Sequence, residues 1–280
     1  MATQTAPGTG AGGTPIDPIL DEVESEVAVA AVAAFPFTSK TVVFQEDFLS
    51  ANGIGRFTVT QNDGTGSGTG AASANANQHG GVHELTTNTS GAVVGEWHQM
   101  QSEVEGYNLG LGRTLSFVCR FRMLRSATGG LFIGLAVTSA TLLGVSSTGT
   151  ANKVQDWIGF QVKPNSGQLS FGWGINAGST SEDVLYQDLA DMDDEWHEVA
   201  FAVNMDHIVA GKGTVTAYLD GEMLDLGGDN MEAADVTTLP YDEDLCVSLG
   251  VCNGSTNMQR AQVDCFEVVL TRIPRMTSNL

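Results

Sequence analysis

TLSFVCRFRM, residues 114–123, is the stretch that decides the fold class. Apolar side chains stand at every second position of it: Leu115, Phe117, Cys119, Phe121 and Met123. Successive side chains of a β-strand point to opposite faces, so this period of two predicts a strand with one buried face. An amphipathic helix would instead repeat its apolar residues every three or four positions.

The same alternation recurs on both sides of this stretch. The other predicted strands are TVVFQEDF (41–48), VHELTT (82–87), AVVGEWHQM (92–100), LFIGLAVT (131–138), DWIGFQV (156–162), QLSFGWGI (168–175), WHEVAFAVNM (196–205), TVTAYLD (214–220), EMLDL (222–226), LCVSLGVC (245–252) and VDCFEVVLTRI (263–273). Turn signals separate several of them, such as Asp220-Gly221, while the Gly/Ser/Asn-rich stretch 62–77 predicts a long loop. About a dozen strands with short turns predict an all-β sandwich, one domain over residues 41–280.

Residues 1–40 differ in composition and form a separate predicted unit. Residues 1–15 are small, polar and glycine-rich, which is typical of a flexible arm. Asp17 and Pro18 then suit the first turn of a short amphipathic helix. Its predicted apolar, partner-binding face is formed by Ile19, Leu20, Val23 and Val27. Two interpretations stay open: the helix packs on its own domain, or it docks on a neighbouring subunit.

Charge and composition exclude several classes of partner. The 280 residues carry a formal net charge of −21 with only 12 Lys and Arg, which opposes direct contact with nucleic acid phosphates. The apolar run 27–37 is too short to span a bilayer and follows acidic residues, the wrong order for a signal peptide. We therefore expect a soluble protein that is made in a cytoplasm and contacts no membrane.

Motifs for chemistry are sparse. The chain has no GxSxG nucleophile motif and no E-x-D-x-x-E pattern, while Glu96, Glu103 and Glu105 form only an unspecific cluster. His79 and His83 lack an evident third metal ligand, and the four cysteines show no zinc spacing, which favours reduced core thiols. These absences predict no catalytic residues, no bound cofactor and no enzyme activity.

Calcium is the one metal for which the sequence offers ligands. The acidic turns 191–195 and 242–244 each contribute several carboxylates, although neither matches an EF-hand loop. The alternative is that both are solvated turns leading into strands.

Glycan binding has a separate basis in the tryptophans, because sugar-binding surfaces use aromatic platforms with a few polar groups. Trp157 and Trp173 flank one predicted hairpin and would share a concave face. The alternative is that both side chains fill the core of the sandwich. A glycan is thus an alternative ligand, with Trp157 and Trp173 as its predicted binding residues.

Two groups of sequence motifs carry a resemblance to known folds. WHEVAFAVNMD (196–206), GTVTAYLDGEML (213–224) and VDCFEVVL (263–270) resemble the end of a laminin-G-like or concanavalin A-like jelly roll. EDFL (46–49) and HGGVHELTTNTSGAV (79–93) are similar to jelly-roll proteins of tailed bacteriophages. The likeness covers about residues 41–273 and implies a concanavalin-like jelly-roll β-sandwich preceded by an additional N-terminal arm.

The resemblance also implies a function, although it carries over no catalytic residue. It suggests a virion structural protein, a capsid decoration or cementing protein that binds capsid subunits through its arm. A virion exterior location and a homo-oligomer, with a trimer favoured, would follow. The alternative function is a carbohydrate-binding module for host or glycan recognition.

Overall fold

The chain divides between Thr38 and Ser39 into two units, and the computed structural model describes only residues of the second. The described residues are 40–48, 56–62, 73–75, 81–87, 95–103, 105–124, 128–139, 156–177, 180–206, 209–227, 234–236, 238–255 and 258–272. The predicted arm and helix, with Ile19, Leu20, Val23 and Val27, lie outside these ranges and stay predictions.

Sixteen β-strands make up the regular structure of the described residues. They are β1 (Lys40–Glu46), β2 (Phe57–Asn62), β3 (Ser73–Asn75), β4 (Val82–Thr86), β5 (Trp97–Ser102), β6 (Arg113–Leu124), β7 (Gly129–Ala136), β8 (Trp157–Val162), β9 (Gln168–Ala177), β10 (Thr180–Asp191), β11 (Trp196–Met205), β12 (Gly213–Leu219), β13 (Glu222–Met223), β14 (Ala234–Val236), β15 (Cys246–Asn253) and β16 (Arg260–Arg272). The predicted all-β class is confirmed.

These strands form two antiparallel sheets. Sheet A has nine strands, in the order β13-β12-β11-β6-β16-β4-β3, with β1 paired to β16 and β14 paired to β12. Sheet B has seven strands, in the order β10-β9-β8-β7-β15-β5-β2. The inner faces of the sheets supply one shared hydrophobic core, as expected for a sandwich.

The deciding stretch lies at the centre of sheet A as β6. Its odd-numbered apolar residues from Leu115 to Met123 are buried, whereas Ser116 and Arg120 are exposed. Phe117 stacks on Phe201 of the neighbouring strand β11, with ring centroids 4.9 Å apart. Such aromatic pairs add about 0.5–1.5 kcal/mol beyond the apolar area that they bury. The period-two pattern therefore sets both the strand and its orientation.

Several strands depart from the sequence prediction, and β2 and β14 lie in segments where no strand was predicted. The predicted loop 62–77 contains β3, whose three residues include no strong strand former. Strand β10 was not predicted because its segment TSEDVLYQDLAD is acidic and lacks regular alternation; it is the edge strand of sheet B and pairs only with β9 among the described strands. The predicted strand 92–100 begins only at Trp97, since Gly95 is in a turn with φ +86°.

Candidate functional site

The outer face of sheet B carries a diagonal row of aromatic side chains that packs separately from the main core. Trp97 on β5, Phe132 on β7 and Trp157 on β8 form this row, here termed the aromatic strip. Cys252 of β15 lies between the first two, because it pairs with Trp97 in the register of the sheet. The strip crosses four adjacent strands, a distance of about 14 Å at ~4.8 Å per strand.

Both tryptophans of the strip have an indole N–H without a partner among the described residues. Trp97 and Trp157 are only 3% and 4% exposed, and their Nε1 atoms find no acceptor in the part of the chain that the structure describes. The Phe132 and Trp157 rings meet edge to face, with centroids 6.0 Å apart. A buried donor without an acceptor costs about 1–3 kcal/mol, so each of these N–H groups calls for an acceptor that the described residues do not supply.

A row of glycines leaves part of this face without side chains. Gly134, Gly159 and Gly172 are neighbours on β7, β8 and β9. A Cβ atom on Gly134 would collide with the carbonyl oxygen of Ile158, and one on Gly159 would collide with that of Ile133. Only glycine therefore fits at the contact between β7 and β8, so this part of the outer face consists of backbone atoms alone.

Uncharged amides border the glycine row. Gln99, Gln101 and Gln161 share the outer face with the strip, because they stand in register with Gly250, Ser248 and Phe132. Each glutamine amide has both donors and an acceptor, as hydroxyl-rich ligands require.

Two of these amides are already engaged by the segment that follows β7. Gln99 Nε2 donates to the carbonyl of Ser139 at 2.5 Å. Gln101 donates to Ser248 Oγ at 2.9 Å and accepts from the Ser139 N–H at 2.8 Å. The start of this segment therefore lies over the β5 end of the face.

The predicted pair Trp157 and Trp173 does not share a face. Trp157 pairs with Gly174 and Ile158 pairs with Trp173, so the two indoles point to opposite sides of sheet B. Trp173 is fully buried in the main core, where its Nε1 donates to Thr238 Oγ1 at 3.4 Å. The prediction of a shared face was wrong because Trp173 is one position from Gly174, the residue opposite Trp157, and successive strand residues point to opposite faces.

Trp97 is the partner that the sequence analysis missed. It lies on the same face as Trp157, although 60 residues separate the two in sequence. The alternation Trp97-x-Gln99-x-Gln101 places an indole and two amides on one side of a strand, and this was an available signal.

The glutamates of the predicted cluster take different partners. Glu96 is buried, and its Oε2 accepts from Asn253 Nδ2 at 3.0 Å. Glu105 is exposed, and its Oε1 accepts from the Thr138 N–H at 2.8 Å. Glu103 is exposed as well. Glu96 is thus engaged in the interior, while Glu105 fixes the segment after β7.

The outer face of sheet A is the second candidate surface. The guanidinium groups of Arg120 and Arg122 lie over the Trp196 ring, 5.1 Å and 5.3 Å from its centroid. Arg120 is paired with Asp264, and Arg122 donates to Gln262. Further along the face, a shallow groove of about 320 Å³ is lined by uncharged residues, Thr114, Leu115, Ser116, Ala202, Val203, Asn204, Thr214, Thr216, Val269 and Thr271.

Two histidines have shifted pKa values for opposite reasons. Burial lowers the pKa of His83 to about 4, against a smaller opposing effect of Glu84. Burial also acts to lower the pKa of His197, but hydrogen bonds to Asp220 at 2.7 Å and Asp193 at 2.9 Å outweigh it and raise that pKa.

Among the described residues, no group of three or more His, Cys, Asp or Glu is placed to hold a metal ion. The carboxylate of Asp193, from the predicted calcium turn 191–195, instead accepts from the Glu195 N–H and binds His197. The four cysteines are free, and burial raises the pKa of the Cys252 thiol to about 12. No helix in the described ranges is long and apolar enough to cross a membrane.

The two sheets and their topology define a concanavalin-like jelly-roll β-sandwich, as predicted. No protein-family model matches the sequence, and the search of curated proteins finds no match. Solved structures do match. An endo-β-1,4-glucuronan lyase from the fungus Trichoderma reesei has a TM-score of 0.51 at 13% identity, over 82% of this chain and 94% of that one.

A protein of unknown function from Shewanella oneidensis has a TM-score of 0.50 at 15% identity, over 99% of this chain and 100% of that one. A carbohydrate esterase from the Shiga toxin-encoding bacteriophage phi24B has a TM-score of 0.45 at 15% identity, over 82% of this chain and 98% of that one. Further neighbours include the carbohydrate recognition domain of Emp46p and an endo-1,3-β-glucanase from Streptomyces sioyaensis, both at a TM-score of 0.49.

These neighbours correct the prediction that the chain is not an enzyme. That prediction rested on absent motifs, and the glucuronan lyase shows that an enzyme acting on a glycan has this fold. The neighbours thus include carbohydrate-recognition domains and glycan-active enzymes, one of them from a bacteriophage. At these low identities the likeness establishes the fold alone.

Proposed function

We propose that the chain binds a polysaccharide on the outer face of sheet B, at the aromatic strip. The observation that carries this proposal is the pair of buried indole N–H groups, on Trp97 and Trp157, without acceptors in the described residues. Hydroxyl oxygens of a sugar would accept from both donors.

The surroundings of the strip support a glycan ligand. The neighbouring glycines of β7, β8 and β9 leave this part of the face without side chains, which would let a flat sugar ring lie close to the backbone. Gln161 adds an uncharged amide beside Phe132, which suits ring hydroxyls. The Trichoderma reesei lyase adds support from outside the chain, because it has the same fold and its named substrate is a polysaccharide.

The strip has an alternative role as a second hydrophobic core, since all its members are buried. Trp→Phe substitutions separate the two roles, because they remove the N–H and keep most of the ring. Trp97→Phe and Trp157→Phe are the test variants, and Trp196→Phe is the matched control on the other sheet.

Affinity electrophoresis measures how strongly the wild type and each variant bind a polysaccharide. Wild-type protein runs through native gels that contain a β-1,3-glucan, a β-1,4-glucuronan or a mannan, and retardation gives the dissociation constant. At least one polysaccharide should retard the wild type. Each test variant should bind it about fivefold more weakly, because one hydrogen bond contributes about 1 kcal/mol. Trp196→Phe should bind as the wild type does.

Two results would overturn the proposal. One is that no polysaccharide retards the wild-type protein. The other is that Trp97→Phe and Trp157→Phe lower the melting temperature while binding stays unchanged, which would assign the strip to packing.

The virion role remains a second proposal. Support for it comes from the sequence resemblance and from the surplus of acidic residues, which suits an exposed virion surface. Its predicted contact residues, Ile19, Leu20, Val23 and Val27, precede the described residues. Deleting residues 1–40 should abolish binding to an assembled capsid, while a polysaccharide should still retard the protein in native gels. Unchanged capsid binding would show that the arm is not the binding segment.

A further inference from the structure

Among the described strands, β1 is an edge strand of sheet A. Among the described strands it pairs only with β16, so the backbone groups of its other edge are not used by this sheet. Val42 and Val43 are 49% and 60% exposed. Consecutive strand residues point to opposite faces, so apolar surface is exposed on both faces of the same strand. An exposed apolar edge of this kind favours pairing with another strand.

The sequence of β1 complements itself in the antiparallel direction. If two copies of KTVVFQE pair about Val43, Lys40 stands opposite Glu46 and Thr41 opposite Gln45. Val42 then stands opposite Phe44, and Val43 stands opposite its own equivalent. Each pair therefore joins opposite charges, two polar groups or two apolar groups, which are the cross-strand combinations that stabilise a sheet.

The charges around the strand support the same arrangement. Arg272 is in register with Lys40 at one end of β1, and Glu267 is in register with Gln45 near the other end. Glu46 and Asp47 add negative charge at that second end, of which Arg56 neutralises a part at 4.0 Å from Glu46. An antiparallel pair brings the positive end of each copy to the negative end of the other.

The rest of the molecule opposes self-association elsewhere. A net charge of −21 makes two copies repel each other over most of their surfaces. Next to β1, however, the outer face of sheet A is the uncharged groove that includes Thr114, Ser116, Val269 and Thr271. The groove therefore adds no like-charge repulsion beside the apolar edge.

We propose that a second copy of this chain pairs with β1, which joins the two A sheets into one continuous sheet across a two-fold axis at Val43. This gives a dimer, whereas the sequence resemblance favoured a trimer. A single strand pair is a small interface, so the dimer should dissociate on dilution.

Sedimentation of the full-length chain over a range of concentrations tests the interface. The wild type should dimerise, and Val43→Lys should raise the dissociation constant about tenfold or more, since it sets two lysines side by side at the axis. Val209→Lys is the matched control, because Val209 is also 49% exposed but lies outside β1. It should dimerise as the wild type does.

Cysteine cross-linking tests the register. Val43→Cys should form a covalent dimer under mild oxidation, because the axis sets each Cys beside its equivalent. Thr41→Cys alone should not form a covalent dimer, because Thr41 stands opposite Gln45 of the other copy. The double variant Thr41→Cys/Gln45→Cys should form one. The wild type, with its own free cysteines, gives the background.

Three outcomes would overturn the proposal. They are a monomeric wild type at every concentration, a dimer that Val43→Lys leaves intact, and equal cross-linking by Thr41→Cys and Val43→Cys. A wild-type monomer that dimerises only after residues 1–39 are removed would show that this chain's own segment occupies the edge instead.

Discussion

His83 should make the sandwich sensitive to acid. The ring is 1% exposed and stacks on Phe48, with centroids 5.4 Å apart. Neither of its ring nitrogens has a hydrogen-bond partner within the described part of the chain. Protonation would therefore place a cation in the core without a paired group, and burial lowers the His83 pKa to about 4 for this reason.

The size of the effect follows from the two pKa values. An unfolded histidine has a pKa of about 6.5, so the native state holds the proton less tightly by about 2.5 pH units. At about 1.4 kcal/mol for each unit, native stability should fall by about 3 kcal/mol as the pH drops from about 7 to about 4. The pKa of His83 is lower in the folded state than in the unfolded state. Its contribution to the free energy of unfolding is therefore complete above the unfolded pKa of about 6.5 and is lost as the pH falls towards the folded pKa of about 4.

The assay is urea unfolding at about pH 7 and about pH 4, for the wild type and His83→Leu. Carboxylates lose stability in both proteins, so the difference between the two proteins isolates His83. His83→Leu should lose about 3 kcal/mol less than the wild type over this interval. A matched control is His197→Gln, since the His197 pKa is shifted in the opposite direction. Equal losses in the wild type and in His83→Leu would refute the reasoning.

Three further predictions concern stability at single positions. Gly134→Ala should lower the free energy of unfolding by about 1–3 kcal/mol, because its Cβ meets the carbonyl oxygen of Ile158; an unchanged urea midpoint would contradict the close strand contact. Thr87→Val should lower the free energy of unfolding by about 1–3 kcal/mol, because the Gln259 N–H donates to the Thr87 hydroxyl at 2.9 Å and would lose this acceptor. Thermal melting measures the loss, and a melting temperature equal to that of the wild type would exclude the bond. His197 contributes to the free energy of unfolding below about pH 6.5, and this contribution is lost as the pH rises through its raised folded-state pKa. Urea titrations of His197→Gln should therefore lack this loss of stability at higher pH. A variant that still lost stability in the same way would exclude His197 as the source.

The central strands of sheet A were predictable from the sequence, because alternation is a local property. Strands such as β6 and β11 keep one face apolar along their whole length, so their positions and their buried faces follow from the chain alone. Strand β10 has no such pattern, since an edge strand is stabilised by its single neighbour and tolerates acidic side chains.

The candidate site was less predictable, because it depends on pairing between distant strands. Trp157 and Trp173 are near each other in sequence but on opposite faces, whereas Trp97 and Trp157 share a face through two intervening strands. Register across a sheet follows from contacts between residues far apart in sequence. A single sequence shows which faces are apolar, and it does not show which indoles meet.

The indole N–H signals of the four tryptophans give the most direct test of glycan binding at the aromatic strip. In a ¹⁵N-labelled protein, each signal is assigned from its Trp→Phe variant and followed while a polysaccharide that retards the protein is added. The signals of Trp97 and Trp157 should move as their N–H groups gain acceptors, while those of core Trp173 and of Trp196 on sheet A should stay in place. Movement of the Trp196 signal alone would contradict the account and place the ligand on the opposite sheet.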